Sequence, residues 1–136
     1  MTEKRFEIIE HPSDVGIIAY GDDIKETFEN AAFGMFSIMA DLGDVETKDS
    51  FKIETRGDDR EELLINWLNE LIFIEDSKHV LLKEFNIYEL TEKELKASVS
   101  GEHIREKLHE LHRPVKAATY NQLELKEKRA KVIFDV

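Results

Sequence analysis

Cysteine is absent from the 136 residues, which removes disulfides, thiolate nucleophiles, iron-sulfur clusters and cysteine-ligated zinc together. Any metal must therefore be held by oxygen or imidazole. Proline occurs twice and glycine six times, with no Ser- or Gly-rich linker and no internal repeat at a fixed period. Nothing marks a domain boundary, and residues 1–136 read as one domain. No apolar run approaches the roughly 20 residues of a membrane helix, and Met1-Thr2-Glu3-Lys4-Arg5 lacks the apolar centre of a signal peptide. The expectation is a soluble cytoplasmic protein. Basic charge is also in short supply. The 19 Lys and Arg stand against 30 Asp and Glu, a net charge of -11, and such a surface repels phosphate backbones, which argues against direct nucleic-acid binding.

At 15.9 kDa the chain should fold with roughly 7,400 Å² of accessible surface, enough for one real core. Its charge is uneven: residues 1–100 hold 24 acidic and 11 basic side chains, residues 101–136 hold 6 and 8. The abundance of 20 Glu and 13 Lys beside a single Gln matches the usage of proteins whose surface ion pairs serve at high temperature, so a thermophilic source is expected.

Two segments carry a helical period. Ile24, Phe28, Ala31, Ala32, Met35, Phe36 and Met39 recur at spacings of three and four after Asp22 and Asp23, with Gly43 beyond the end. Leu63, Leu64, Trp67, Leu68, Leu71 and Ile72 form a second stripe after Asp58 and Asp59, which suit a helix N-terminus as caps and for its dipole. The remaining apolar segments read as strands: 6–9, 15–20, 51–55, 85–89 turning to 95–99, and 115–125 turning to 130–136. The order β-β-α-β-α-β-β-β-β predicts an α+β domain in which two amphipathic helices pack on one face of a largely antiparallel or mixed sheet.

Few residues offer chemistry. Asp14, at the mouth of the apolar run Val15 to Tyr20, is either a turn former bonding its own backbone or a hard-cation ligand. Asp135 and the α-carboxylate of Val136 end the last strand, and three carboxylates converge if Asp14 lies alongside. Such a cluster repels itself unless it is protonated or neutralised by a divalent cation. The five histidines include no HExxH pair, and His109 and His112 fall in a polar segment before Pro114. No nucleophile elbow, P-loop or dinucleotide glycine pattern is present. A small metal-dependent hydrolase using Asp14 and Asp135 is one reading, with Glu70 and Glu102 as distant candidates for its general base. A chaperone-like module for RNA-modifying enzymes is another. Lys116, followed by Ala117 and Ala118 inside a strand, marks a place of close packing.

These residues also carry a resemblance. His11-Pro12-Ser13-Asp14-Val15-Gly16, Ala31-Ala32 with Gly34-Met35, Trp67-Leu68-Asn69-Glu70-Leu71, Gly101-Glu102, His109, Lys116-Ala117-Ala118-Thr119-Tyr120 and Ile133-Phe134-Asp135-Val136 fall in the order of the archease family, which the chain resembles from residue 11 to residue 136. The resemblance implies an accessory protein rather than an enzyme. Its partner would be the manganese- and GTP-dependent RNA ligase of the tRNA-splicing type, which joins 2',3'-cyclic phosphate or 3'-phosphate ends to 5'-hydroxyl ends. The family promotes guanylylation of the ligase histidine and so sustains multiple turnover. The resemblance also implies a divalent cation, calcium first and magnesium or manganese next, on Asp14, Asp135 and Val136, and a partner or phosphate contact at Lys116. The chain departs from the family in having Pro12-Ser13 where many members have Thr-Ala, and Asn121 where many have His.

Overall fold

Both helices begin at the second aspartate of a Gly-Asp-Asp sequence, by the same set of hydrogen bonds. In the computed structural model, which describes residues 4–10 and 13–136, the Asp23 carboxylate accepts from Glu26 N at 2.8 Å and the Glu26 carboxylate accepts from Asp22 N at 2.8 Å. At the second helix Asp59 accepts from Glu62 N at 2.8 Å and Glu62 accepts from Asp58 N at 3.0 Å. Each pair satisfies one donor that the first helical turn leaves free and the backbone N–H just before the cap. One turn later the Asn30 amide donates to Tyr20 O at 2.6 Å, and the Asn66 amide donates to Arg56 O at 2.7 Å. Tyr20, Gly21, Asp22, Asp23, Glu26 and Asn30 thus correspond one to one with Arg56, Gly57, Asp58, Asp59, Glu62 and Asn66. The chain contains an internal repeat after all.

The elements, in order, are β1 Phe6–Glu10, β2 Val15–Tyr20, α1 Ile24–Met39, a 3-10 turn at Leu42–Asp44, β3 Asp49–Arg56, α2 Arg60–Lys78, β4 Val80–Leu90, β5 Glu94–His103, β6 Ala117–Lys126 and β7 Arg129–Asp135. The α+β class, the antiparallel pairing and the element order agree with the expectation. The strands, however, form two sheets instead of one: β1-β2-β7-β6 and β3-β5-β4, antiparallel throughout. The repeat explains the division. Tyr20 pairs with Arg129 as Arg56 pairs with Glu94, and Gly21 N bonds Lys128 O as Gly57 N bonds Lys93 O, in the turns of the β6-β7 and β4-β5 hairpins. The molecule is therefore two β-α-β-β units. One, β3-α2-β4-β5, is continuous, and it is inserted between α1 and β6 of the other.

The two units share one core. Helix α1 lies on β2 of its own unit and on β4 of the other, and α2 lies on β3 and on β6. Each helix also covers part of the edge strand it reaches: Ile87 N donates to the Glu29 carboxylate at 2.8 Å, and Ala118 N donates to Asn69 Oδ1 at 2.8 Å. Such side-chain cover satisfies backbone groups that an edge would otherwise leave open. Trp67 is fully buried and donates its indole N–H to Phe28 O at 3.0 Å, tying α2 to α1. Folded surface is 7435 Å², close to the expectation for one packed body.

Candidate metal centre

Strand register decides which carboxylates meet. Val15 pairs with Phe134, and Ala117 pairs with Asp135; one further step along β2 and β7 sets Asp14 opposite Asp135. Directly opposed residues point to the same face, with Cβ atoms roughly 5 Å apart. The face is the one turned away from the helices, because Val15, Ile17, Val132 and Phe134 fill the core side. Lys116 N donates to Asp135 O at 2.8 Å, which fastens the residues before β6 to the same end of the sheet. Asp14, Asp135, Val136 and Lys116 thus lie at one end of the sheet. Among the described residues no set of three His, Cys, Asp or Glu side chains forms a metal cage, so the side chains at the tip supply two carboxylates. His11 and Pro12 lie outside the described residues.

Two observations bear on what Asp14 does. Its Oδ1 is sealed from solvent and has no hydrogen-bond partner among the described residues. A carboxylate oxygen left in that state costs free energy unless something positive reaches it, and a hard cation meets the need with oxygen ligands. The second observation is the repeat. The pair in the inserted unit that corresponds to Asp14 and Asp135 is Ser50 and Ser100, which face each other across β3 and β5. The same strand geometry is built there without any carboxylate. The aspartates are therefore not a requirement of the fold.

Gly16 holds the neighbouring position on the same face. A Cβ there would lie 2.6 Å from Ile133 Cδ1 and 2.9 Å from Val132 O, so Ile133 folds across the glycine and Ile133 is buried. That apolar floor lies next to the two acids.

A buried acid elsewhere escaped the sequence reading as a structural element. Glu102, at the end of β5, is 3% exposed, and His109 is 4% exposed, so His109 is not part of a polar surface segment. Glu102 accepts from Glu46 N at 2.6 Å and from Arg105 at 2.8 Å. His109 Nδ1 accepts from Arg105 N at 2.9 Å, and its Nε2 lies 3.2 Å from Glu102 Oε2 without the alignment of a formal hydrogen bond. The Glu46 amide first, then His109 and Arg105, hold the Glu102 carboxyl far below its usual range, at about 2. So acidic a group is a weak general base, which removes one of the two candidates from the hydrolase reading. Its work is to pin the segment between β5 and β6, where Asp41 N also bonds Glu110 O, and His112 N and Arg113 N bond the last carbonyls of α1.

The described residues contain no helix long and apolar enough to cross a membrane. Comparison with known proteins places the rest. The model of the archease protein family matches residues 6–136. The archease of Methanosarcina acetivorans is 36% identical over 98% of this chain and 97% of its own, and that of Methanothermobacter thermautotrophicus is 38% identical over 98% and 99%. Among solved structures, the solution structure of protein 1598 from Methanobacterium thermoautotrophicum superposes with a TM-score of 0.80 at 37% identity, over 97% of this chain and 99% of that one. The crystal structure of an archease from Thermotoga maritima, described there as a possible chaperone, shares the fold with a TM-score of 0.57 at 18% identity, over 100% and 98% of the two chains. On a family model that matches residues 6–136 and relatives 36–38% identical over 98% of its length, the chain belongs to the archease family.

Proposed function

We propose that this protein is the accessory activator of a GTP-dependent RNA ligase that joins 3'-phosphate or 2',3'-cyclic phosphate ends to 5'-hydroxyl ends, and that it acts through a divalent cation held at the Asp14–Asp135 tip. The observation that carries the cation is the Asp14 Oδ1, buried without a partner among the described residues and opposed to Asp135 at a position where the inserted unit has serines. Asp14 and Asp135 would hold the ion with Val136, calcium fitting an oxygen-only set best and magnesium or manganese next. When bound, the ion supplies positive charge at a tip that is otherwise strongly acidic. Asp135 ends strand β7 and Asp14 immediately precedes strand β2, so the paired strands fix where the ion would sit, and the buried floor of Ile133 keeps water from one side of the site. Lys116 offers a cation to the partner or to a phosphate beside it. The net charge of -11 favours a protein target over RNA.

The deciding experiment is multiple-turnover ligation by the ligase of the same organism with and without this protein. Stimulation is expected, and Asp14→Ala and Asp135→Ala are expected to lose most of it while melting normally. An unchanged ligation rate with the wild-type protein would reject the proposal. In parallel, added calcium should raise the melting midpoint of the wild type and leave both variants where they were.

A further inference from the structure

Beside the carboxylate tip runs a groove of about 560 Å³ between the C-terminal half of α2 and the chain entering β6, lined by Asn69, Ile72, Phe73, Asp76, Pro114 and Lys116 among others. It begins one strand from the carboxylates, since Ala117 on its wall pairs with Asp135. Phe73 stands in it 64% exposed, the most exposed of the large apolar side chains. On a helix that otherwise buries its apolar residues, a phenyl ring left in water is unfavourable.

The repeat accounts for the opening. Counting from the shared Gly-Asp-Asp starts, Asn69, Phe73 and Asp76 correspond to Phe33 and Ser37 of α1 and to its C-cap Ala40. That face of α1 is flanked by Phe6 and Ile8 of β1, with the Phe6 ring edge-on to Phe33 at 5.8 Å. The inserted unit has no strand corresponding to β1, because β3 is the edge of its sheet. On α1, β1 closes one side of that surface and leaves a groove of about 420 Å³; on α2 no strand lies on that side, and the surface carries a large, exposed aromatic side chain.

The charge around the ring selects what covers it. Glu75 and Asp76 form the α2 wall, and neither makes an ion pair with a described residue. Glu75 is half-buried. Lys116 is a single positive charge on the opposite wall. An apolar side chain followed by an arginine or lysine satisfies both the ring and the acids. The arginine has the further option of lying flat on the Phe73 face.

We infer that this groove is a docking site for an extended segment of the partner protein, one that sets an apolar side chain on Phe73 and a cation against Glu75 and Asp76. The inference rests on the ligase reading for the identity of the partner, although not for the chemistry of the site. Placed beside the tip, the groove supplies affinity while the carboxylates supply activation.

The two contributions separate in one experiment. Binding of the ligase to the immobilised protein is measured alongside turnover at saturating protein, for the wild type, Phe73→Ser and the Glu75→Lys/Asp76→Lys pair. The groove variants should raise the dissociation constant at least tenfold and, at saturation, still reach the wild-type rate; Asp14→Ala should do the reverse. Unchanged affinity in both groove variants overturns the inference, whatever the turnover. Wild-type binding that is weakened by the groove variants but stimulates nothing upholds the groove and rejects ligase activation. No binding of the wild type overturns both. Sedimentation of the wild type as a dimer that Phe73→Ser splits assigns the groove to a second copy, and overturns the inference as stated.

Discussion

Asp14 and Ser50 occupy the same place in the two units, and the comparison separates what the strand needs from what the site needs. A β2-β7 end with serines at both positions is already built elsewhere in this molecule, at Ser50 and Ser100. The double variant Asp14→Ser/Asp135→Ser should therefore unfold within about 1 kcal/mol of the wild type in urea, and its calcium response should vanish. A loss of several kcal/mol would make the acids structural. Gly16 behaves differently. Its Cβ position is taken by Ile133 and by a backbone carbonyl, so Gly16→Ala should cost about 1–3 kcal/mol through overpacking. Glu102 makes a pH prediction. Its carboxyl titrates at about 2 in the folded protein against an ordinary 4.5. The stabilisation from this group is therefore complete above the unfolded value and is lost as pH falls from 4.5 toward 2. Urea midpoints between pH 6 and pH 2.5 should fall less steeply for Glu102→Gln than for the wild type. At this scale the sequence was half legible. Asp14 and Asp135 stand out because each ends an apolar run. The Glu102–His109 contact depends on how residues 104–116 fold back, and no local pattern encodes that.

The helices were legible because their apolar spacing survives tertiary packing, and their starts because two consecutive aspartates precede each stripe. The structure selects the second of each pair as the cap, Asp23 and Asp59. Asp59→Ala should lower stability by about 1 kcal/mol in chemical denaturation, the usual worth of an N-cap, and a change near zero would show that the preceding turn holds the helix alone. The strands were less legible at their ends. Strand β4 starts at Val80, well before the 85–89 segment that alternation suggests, because His79 closes α2 in a left-handed conformation (φ 57) and reverses the chain without a polar turn. A run such as Val80-Leu81-Leu82 directly after a helix reads as its continuation. In space it is the start of the longest strand, and there Gly101 lets β5 approach: a Cβ on it would lie 1.8 Å from Leu81 O. Phe73 is a different kind of miss. Its period places it off the buried stripe, so the sequence marks it as exposed and gives no reason for an aromatic there. The reason requires the comparison with α1.

The two-sheet division was not legible because it follows from a repeat split by insertion. Five identical residues around Gly-Asp-Asp are too few to declare a period, and the hairpins that complete the units have no sequence likeness to each other. The interleaving has a consequence for folding. Helix α2, from the inserted unit, covers β6 of the outer unit, α1 covers β4 of the inserted one, and the Trp67 indole bonds Phe28 O across the two. Neither unit has a complete core without the other's helix, and the outer unit cannot close until the inserted one has brought residue 101 back against residue 49. Unfolding should therefore be a single two-state transition, in which Trp67 fluorescence, far-UV circular dichroism and calorimetry give one midpoint and the calorimetric and van't Hoff enthalpies agree. Two separated midpoints would show that the inserted unit is an independent domain. The same melt tests the composition-based expectation of a thermophilic source, which requires a midpoint above the roughly 45–65 °C of mesophile domains. Most of the ion pairs are exposed on both sides, and such pairs are worth about 0–1 kcal/mol each at 25 °C. A high midpoint would accordingly be carried by the interlocked core: Trp67→Phe, which keeps most of the ring's bulk and removes the bond to Phe28 O, should then lower the midpoint more than Lys48→Ala, which removes the exposed pair with Glu46.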